Sequence, residues 1–300
     1  LYNIVDRIYI GRIPDIGTTA LGAVGLCFPL IMIITACSNL FGSGGAPLFS
    51  INRGKGDKEQ ANRILNTSFS MVCASALMLM GTGLIFAKPL LLLFGASKNA
   101  LIFAQPYMML YLLGTLPSMI ATGMNPFINA QGYSTTGMFS VAIGAAANIL
   151  LDPLFIFTFH LGVNGAAVAT VLSQILSALF VFHFLRRKAE IKVRLLRKNE
   201  LSSCIPLAKS IISLGTSGFI MQLTNSLVSI CYNHVLSVTG GDVYVSVMTI
   251  VSSVRQMVET PIYAITEGSS PIISYNYGAL RPTRVKKAGI TMALMALVYT

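Results

Sequence analysis

Apolar residues along this chain come in unbroken runs of roughly 20, parted by short polar connections. They do not alternate with polar residues at a period of two, so the pattern is that of helices rather than half-buried strands. A run of about 20 apolar residues crosses the roughly 30 Å hydrocarbon core as a helix. The runs predict spans near 20–44, 66–87, 104–129, 134–159, 163–185, 205–236 and 243–277, with a partial span at 1–10 and another at 288–300.

Composition agrees. The chain is 54% hydrophobic and 10% charged with mean hydropathy +0.72, which excludes an ordinary soluble domain. A spanning barrel would show ten-residue alternating segments instead of continuous runs. The reading is an all-α membrane protein, a polytopic helical bundle with the bilayer as its first partner.

The net charge of +11 is informative through its placement. Arg53, Lys55, Lys58 and Arg63 share one connection. Arg186, Arg187, Lys188, Lys192, Arg194, Arg197, Lys198 and Lys209 share a second, and Arg281, Arg284, Lys286 and Lys287 a third. Intervening connections hold only Arg12, Lys88 and Lys98. Basic residues in every second loop follow the positive-inside rule and place 52–65, 186–209 and 279–287 in the cytoplasm. The expected topology is multi-pass in the cell membrane with a cytoplasmic N-terminus, and no nucleic-acid partner is needed to explain the charge. Cys27, Cys37, Cys73, Cys204 and Cys231 show no metal spacing and read as packing residues, and His160, His183 and His234 form no metal motif.

Against this apolar background the segment Asn148-Ile-Leu-Leu-Asp152-Pro153 stands out. A charge at the bilayer centre costs about 2.5–3.5 kcal/mol on insertion scales, so such residues face water, an ion or a proton path. Asn148 and Asp152 are four apart and share a helix face. Pro153 cannot donate to the carbonyl of Ile149, which loosens the backbone beside the carboxylate. Carboxylate, amide and freed carbonyl oxygens together make a site for a small cation or a proton.

Other intramembrane polar residues carry less. Arg255 and Glu259 are four apart and read as a structural pair or as lining for a cavity or gate; Glu267, Gln222 and Asn225 are further cavity candidates. Pro47 and Pro271 read as helix bends. The 14 methionines read as packing before a binding wall.

A weak repeat organises the chain. Gly44-Gly-Ala-Pro47-Leu-Phe-Ser50-Ile-Asn52-Arg-Gly54 and Gly268-Ser-Ser-Pro271-Ile-Ile-Ser274-Tyr-Asn276-Tyr-Gly278 match at five of eleven positions at a constant offset of 224, each closing a second span ahead of a basic loop. That predicts parallel halves related by an axis along the membrane normal. The expected division is an N-terminal lobe at 1–185 (spans one to six, the first truncated), a linker at 186–204, and the start of a C-terminal lobe at 205–300. On this reading the chain is a fragment, inactive alone, that lacks part of span one and the last three to four spans. The linker reads as either an amphipathic surface helix or a solvated connector.

These pieces, with Val5-Asp6-Arg-Ile-Tyr-Ile-Gly11 and Gly162-Val-Asn-Gly165-Ala-Ala-Val-Ala-Thr170, resemble the multidrug and toxic compound extrusion (MATE) transporters over essentially the whole chain. The resemblance implies two six-helix lobes around a central cavity. It also implies export of amphipathic or cationic small molecules, by a monomer, against inward Na⁺ or H⁺, with no cofactor beyond the coupling ion. It assigns ion coupling to Asp6, Asn148, Asp152 and Thr170, without deciding between Na⁺ and a proton. Other members carry an acid on span seven, where this chain has only Gln222 and Asn225, a departure that favours the N-terminal site. The rivals are a lipid-linked oligosaccharide flippase of the same superfamily and a membrane-embedded enzyme. The first is disfavoured by the scarcity of basic residues within spans, the second by the dispersed His and Cys.

Overall fold

In lipid an exposed backbone N–H or C=O has no water to bond, so a spanning segment satisfies itself as helix. The computed structural model describes residues 2–14, 16–195 and 201–299, with side chains from Asp6 onward and, after 195, from Cys204 onward. Among these residues there is no strand. The helices are α1 (Tyr2–Ile10), α2 (Gly17–Gly54), α3 (Lys58–Leu93), α4 (Lys98–Leu113), α5 (Thr115–Ala130), α6 (Ser134–Pro153), α7 (Gly162–His183), α8 (Leu201–Gly278) and α9 (Pro282–Tyr299).

Several helices outrun the apolar runs that announced them. The predicted 52–65 loop shrinks to a turn at 55–57, because Arg53 lies in the last turn of α2 and Lys58 and Arg63 belong to α3. The Asp57 carboxylate accepts from the Gln60 N–H and caps α3, a signal that hydropathy does not carry. Likewise Arg284, Lys286 and Lys287 sit on α9 rather than in a 279–287 loop. The 104–129 span is a bent pair, α4 and α5, broken by 57° at Gly114. The predicted spans 205–236 and 243–277 form one element, α8, whose two arms meet at Gly241 with φ +66°. Pro47 and Pro271 lie inside helices that continue through them to Gly54 and Gly278.

The described part of the linker, 186–195, is neither surface helix nor free connector. After a π-turn at Phe184–Lys188 the chain runs non-helically through 189–195, burying Ala189, Ile191 and Val193 against the core. Its backbone is pinned by side chains: Gln131 bonds both the N–H and the C=O of Ile191, and Asn66 accepts from the Arg194 N–H at 2.7 Å. Glu190 pairs with Arg53 at 3.1 Å and Lys58 at 2.7 Å. Arg197 and Lys198 lie outside the described residues.

The core sits among α2, α3, α4, α5 and α7, with Phe49, Tyr107, Phe127 and Leu65 fully buried. Outward faces of α3 and α8 stay apolar and exposed, as Met78, Ile85, Ile250 and Val254 show, which suits a lipid surface. The most extensive helix contact is α2 with α8. Near the middle, Gly44 and Gly215 let α2 meet the first arm at backbone distance. Along its length α2 also meets the second arm through positions 224 apart: Gly22 with Ser246, Gly25 with Thr249, and Ser43 with Glu267. A Cβ on Gly54 would overlap Tyr275 O, and one on Gly278 would overlap Ile51 O, the same contact seen from each side. Reciprocal contacts at one constant separation are what a local twofold relation between two helices produces.

Candidate functional site

The buried side of α6 is a stripe of small and polar residues: Gly137, Ser140, Gly144, Asn148 and Asp152. Small residues let helices approach closely in membranes, and here they seat α6 against the Thr170, Ser173 and Ser177 face of α7. Pro153 gives no N–H to Ile149, the Leu154 N–H bonds back to Leu151 O, and the helix opens into a π-turn at Leu154–Thr158. Gly165 of α7 receives that turn, for a Cβ there would lie 2.6 Å from Phe155 O. The glycine thus brings Thr170, five residues on, level with the Asp152 turn.

Asp6 of α1 enters this seam. One of its carboxylate oxygens accepts from Asn148 Nδ2 at 3.0 Å, and the other accepts from Thr170 Oγ1 at 2.7 Å and from Tyr107 OH at 3.3 Å. The same Asn148 amide donates to Asp152 Oδ1 at 3.1 Å and lies 3.4 Å from Thr170 Oγ1. Asp6, Asn148, Asp152 and Thr170 are each 0% exposed. Two acids therefore share one amide in a water-excluded pocket, where neighbouring like charges repel unless a cation or proton intervenes.

Two atoms of the pocket carry that demand. Asn148 Oδ1 and Asp152 Oδ2 are buried with no hydrogen-bond partner. Buried polar groups are almost always paired; Asn148 Oδ1 can only accept, and so can Asp152 Oδ2 while its acid is ionised. Carboxylate, amide and hydroxyl oxygens are the hard donors that a small cation takes, so the set fits Na⁺, and a shared proton would satisfy it equally. Among the described residues no group of three or more His, Cys, Asp or Glu could hold a metal.

The structure brings together Asp6, Asn148, Asp152 and Thr170 from three helices, and places the other candidates elsewhere. Gln222 Nε2 lies 3.2 Å from Met32 Sδ, half-buried between α8 and α2. Asn225 is also half-buried one turn on. Arg255 and Glu259 pair at 3.4 Å, but they are 59% and 44% exposed, so the buried structural pair becomes an exposed one. Glu267 is exposed and accepts a long 3.4 Å bond from Ser43.

Sequence reasoning missed Tyr107. It is fully buried on α4, stacks on Tyr111 at 6.3 Å, and completes the shell of Asp6. A tyrosine within an apolar span signals that its hydroxyl needs a partner, yet no spacing links it to an acid a hundred residues earlier. Sequence reasoning also gave Arg7 no role. It is 7% exposed and turns away from its neighbour toward α8.

Comparison with known proteins bears on this arrangement. The model of the family MatE matches residues 1–154. The multidrug export protein MepA of Staphylococcus haemolyticus (strain JCSC1435) is 25% identical over 299 residues, covering 100% of this chain and 65% of that protein. MepA of Staphylococcus aureus (strain NCTC 8325 / PS 47) is 25% identical over 282 residues, covering 93% and 61%. The solved structure of the MATE multidrug transporter DinF-BH in complex with a dye superposes with TM-score 0.87 at 30% identity, covering 100% of this chain and 66% of that one. The chain thus spans less than two thirds of the length of the curated relatives it matches.

Proposed function

The chain belongs to the MatE family, and on that premise we propose that it forms part of a secondary active exporter of small amphipathic or cationic compounds. Inward movement of Na⁺ or H⁺ through the Asp6–Asn148–Asp152–Thr170 pocket drives the export. The observation that carries this reading is the pair of unpartnered buried oxygens, Asn148 Oδ1 and Asp152 Oδ2, beside two acids. A polar cluster that only pinned helices together would not need two buried carboxylates on one amide. Relatives named for multidrug export, and a similar transporter solved with a dye, support the choice of substrate class.

The mechanism is alternating access. α2 and α8 touch near both ends, through Gly22 and Ser246 at one and Gly54 and Tyr275 at the other, so access requires one of these contacts to part. The basic end faces the cytoplasm in this reading, the N-terminus lies on that side, and the protein works as a monomer. A cation that binds the acid pocket lowers substrate affinity in the outward state, and substrate weakens the cation by the same factor. At 100 mV each inward charge supplies about 2.3 kcal/mol, roughly a 50-fold gradient.

Efflux of a fluorescent cationic dye under separate Na⁺ and pH gradients tests the reading. Gradient-driven efflux in the parent, lost in Asp152→Asn, is the expected result, and the effective gradient names the ion. Efflux that survives the substitution would move coupling away from this pocket. Absence of any efflux would bring forward the lipid-linked flippase.

A further inference from the structure

Arg7 is next to Asp6 in sequence and opposite to it in space. Asp6 reaches into the α4, α6 and α7 pocket, while the Arg7 guanidinium lies over the Phe28 ring at 4.7 Å. Its Nη1 donates to Ser253 Oγ at 2.8 Å and, at 3.4 Å, to Thr249 O, both on the second arm of α8. Its Nε is buried without a partner. Beside it lies a cavity of about 10 Å³, lined also by Gly25, Ser229, Tyr232 and Asn233. Among the described residues no carboxylate lies within 4 Å of the guanidinium.

This is an unusual way to bury a cation. Charged groups removed from water are normally paired with an opposite charge, and Arg7 is held instead by a ring, a hydroxyl and a carbonyl. The nearest opposite charge is Asp6, across the backbone of α1. The grip of Arg7 on α8 is therefore conditional on what occupies the Asp6 pocket.

We propose that Arg7 is a coupling residue, carrying the occupancy of the acid pocket to the contact between α2 and the second arm of α8 at the end opposite the basic loops. The proposal rests on the cation-coupled reading above and deepens it. A cation beside Asp6 sets a second positive charge next to Arg7 and cancels the field that favours its burial. The bonds to Ser253 and Thr249 weaken, and the packing of Gly22 and Gly25 against Ser246 and Thr249 parts with them. By linkage, parting that contact tightens the cation. A merely structural arginine would respond to loss of its bonds, but not to the cation.

Two quantities measured on the protein as its own cell makes it, in nanodiscs, decide the matter. One is binding of Na⁺ by calorimetry, with proton uptake as a separate arm. The other is the distance between spin labels on Asn99→Cys and Val238→Cys, both exposed at that end, in a background without the five native cysteines. In the parent, the bound cation should lengthen the distance. Arg7→Gln should bind the cation at least as tightly, since a positive neighbour is gone, yet show the long label distance already without cation and lose about fivefold or more of the cation's effect on it, the lower end of the usual range of coupling. Arg7→Lys, which keeps the charge, should restore the response.

An Arg7→Gln protein that responds like the parent overturns the proposal, and so does an Arg7→Lys protein as unresponsive as the glutamine variant. A parent that binds no cation sinks the antiport reading, and this inference with it. A parent that binds but does not move sinks only the role of Arg7. Should Arg7→Gln not fold, Ser253→Ala removes the short bond and keeps the charge, and must lengthen the cation-free distance in the same direction.

Discussion

Adding a single methyl group at Gly54 should pry open the basic end of the molecule. A Cβ there overlaps Tyr275 O and would lie 2.9 Å from Ala279 N and 3.1 Å from Gly278 C. All three are backbone atoms, so no side chain can swing aside. Carbon and oxygen rest at about 3.3–3.6 Å in close helix contacts, so α2 and α8 must separate by roughly an ångström or more. Overpacking of this kind costs about 1–3 kcal/mol. If the contact opens during transport, that is about a 5- to 150-fold shift toward the open state.

Removing a helical glycine returns about 0.5–1 kcal/mol, so Gly54→Ala is compared with Gly218→Ala, where nothing lies within 4 Å of the added carbon. Spin labels on Lys58→Cys and Arg284→Cys, both exposed near this end, report the separation. The long-distance population should rise for Gly54→Ala and stay put for Gly218→Ala. Gly278→Ala should match Gly54→Ala, because its Cβ meets Ile51 O and, at 2.8 Å, Ile51 C. Unchanged distances in both Gly54 and Gly278 variants would refute the reasoning, and an effect confined to one of them would refute the reciprocal contact.

Other expectations follow from the pocket and the linker. Thr170→Val removes the 2.7 Å bond to Asp6 and Tyr107→Phe the 3.3 Å one, so cation binding by calorimetry should change several-fold more for the first than for the second. Comparable effects would mean that bond length is no guide here. Glu190 is held below its ordinary 4.5 by the hydrogen bond from Lys58, and further by Arg53. A depressed carboxylate adds stability above its unfolded value and loses it as pH falls through the folded one. Glu190→Gln should therefore lower stability at pH 7 by less than about 1 kcal/mol, since the pair is solvent-screened, seen as a small drop in melting temperature, with no difference from the parent once pH lies well below 4.5. A difference that persists in acid would show that Glu190 acts through something other than its charge.

Hydropathy runs located the helices, because in lipid a backbone has little choice but to bond to itself. Asp152 and Asn148 were legible as a site because an acid amid apolar residues is too costly to be idle, and four residues on a helix put both on one face. The offset of 224 was legible too, as a faint echo in eleven residues. What the sequence left undecided was everything that depends on which helix lies beside which. The bond of Tyr107 to Asp6, and the turn of Arg7 away from Asp6 onto Ser253, are invisible in spacing. So is the docking of Ile191 on Gln131, which converts an apparently loose linker into part of the core. Local patterns are set by the period of the helix and the cost of leaving water, both readable one segment at a time. Pairing between residues 101 or 246 positions apart is set by packing of the whole bundle, and only the tertiary structure decides it.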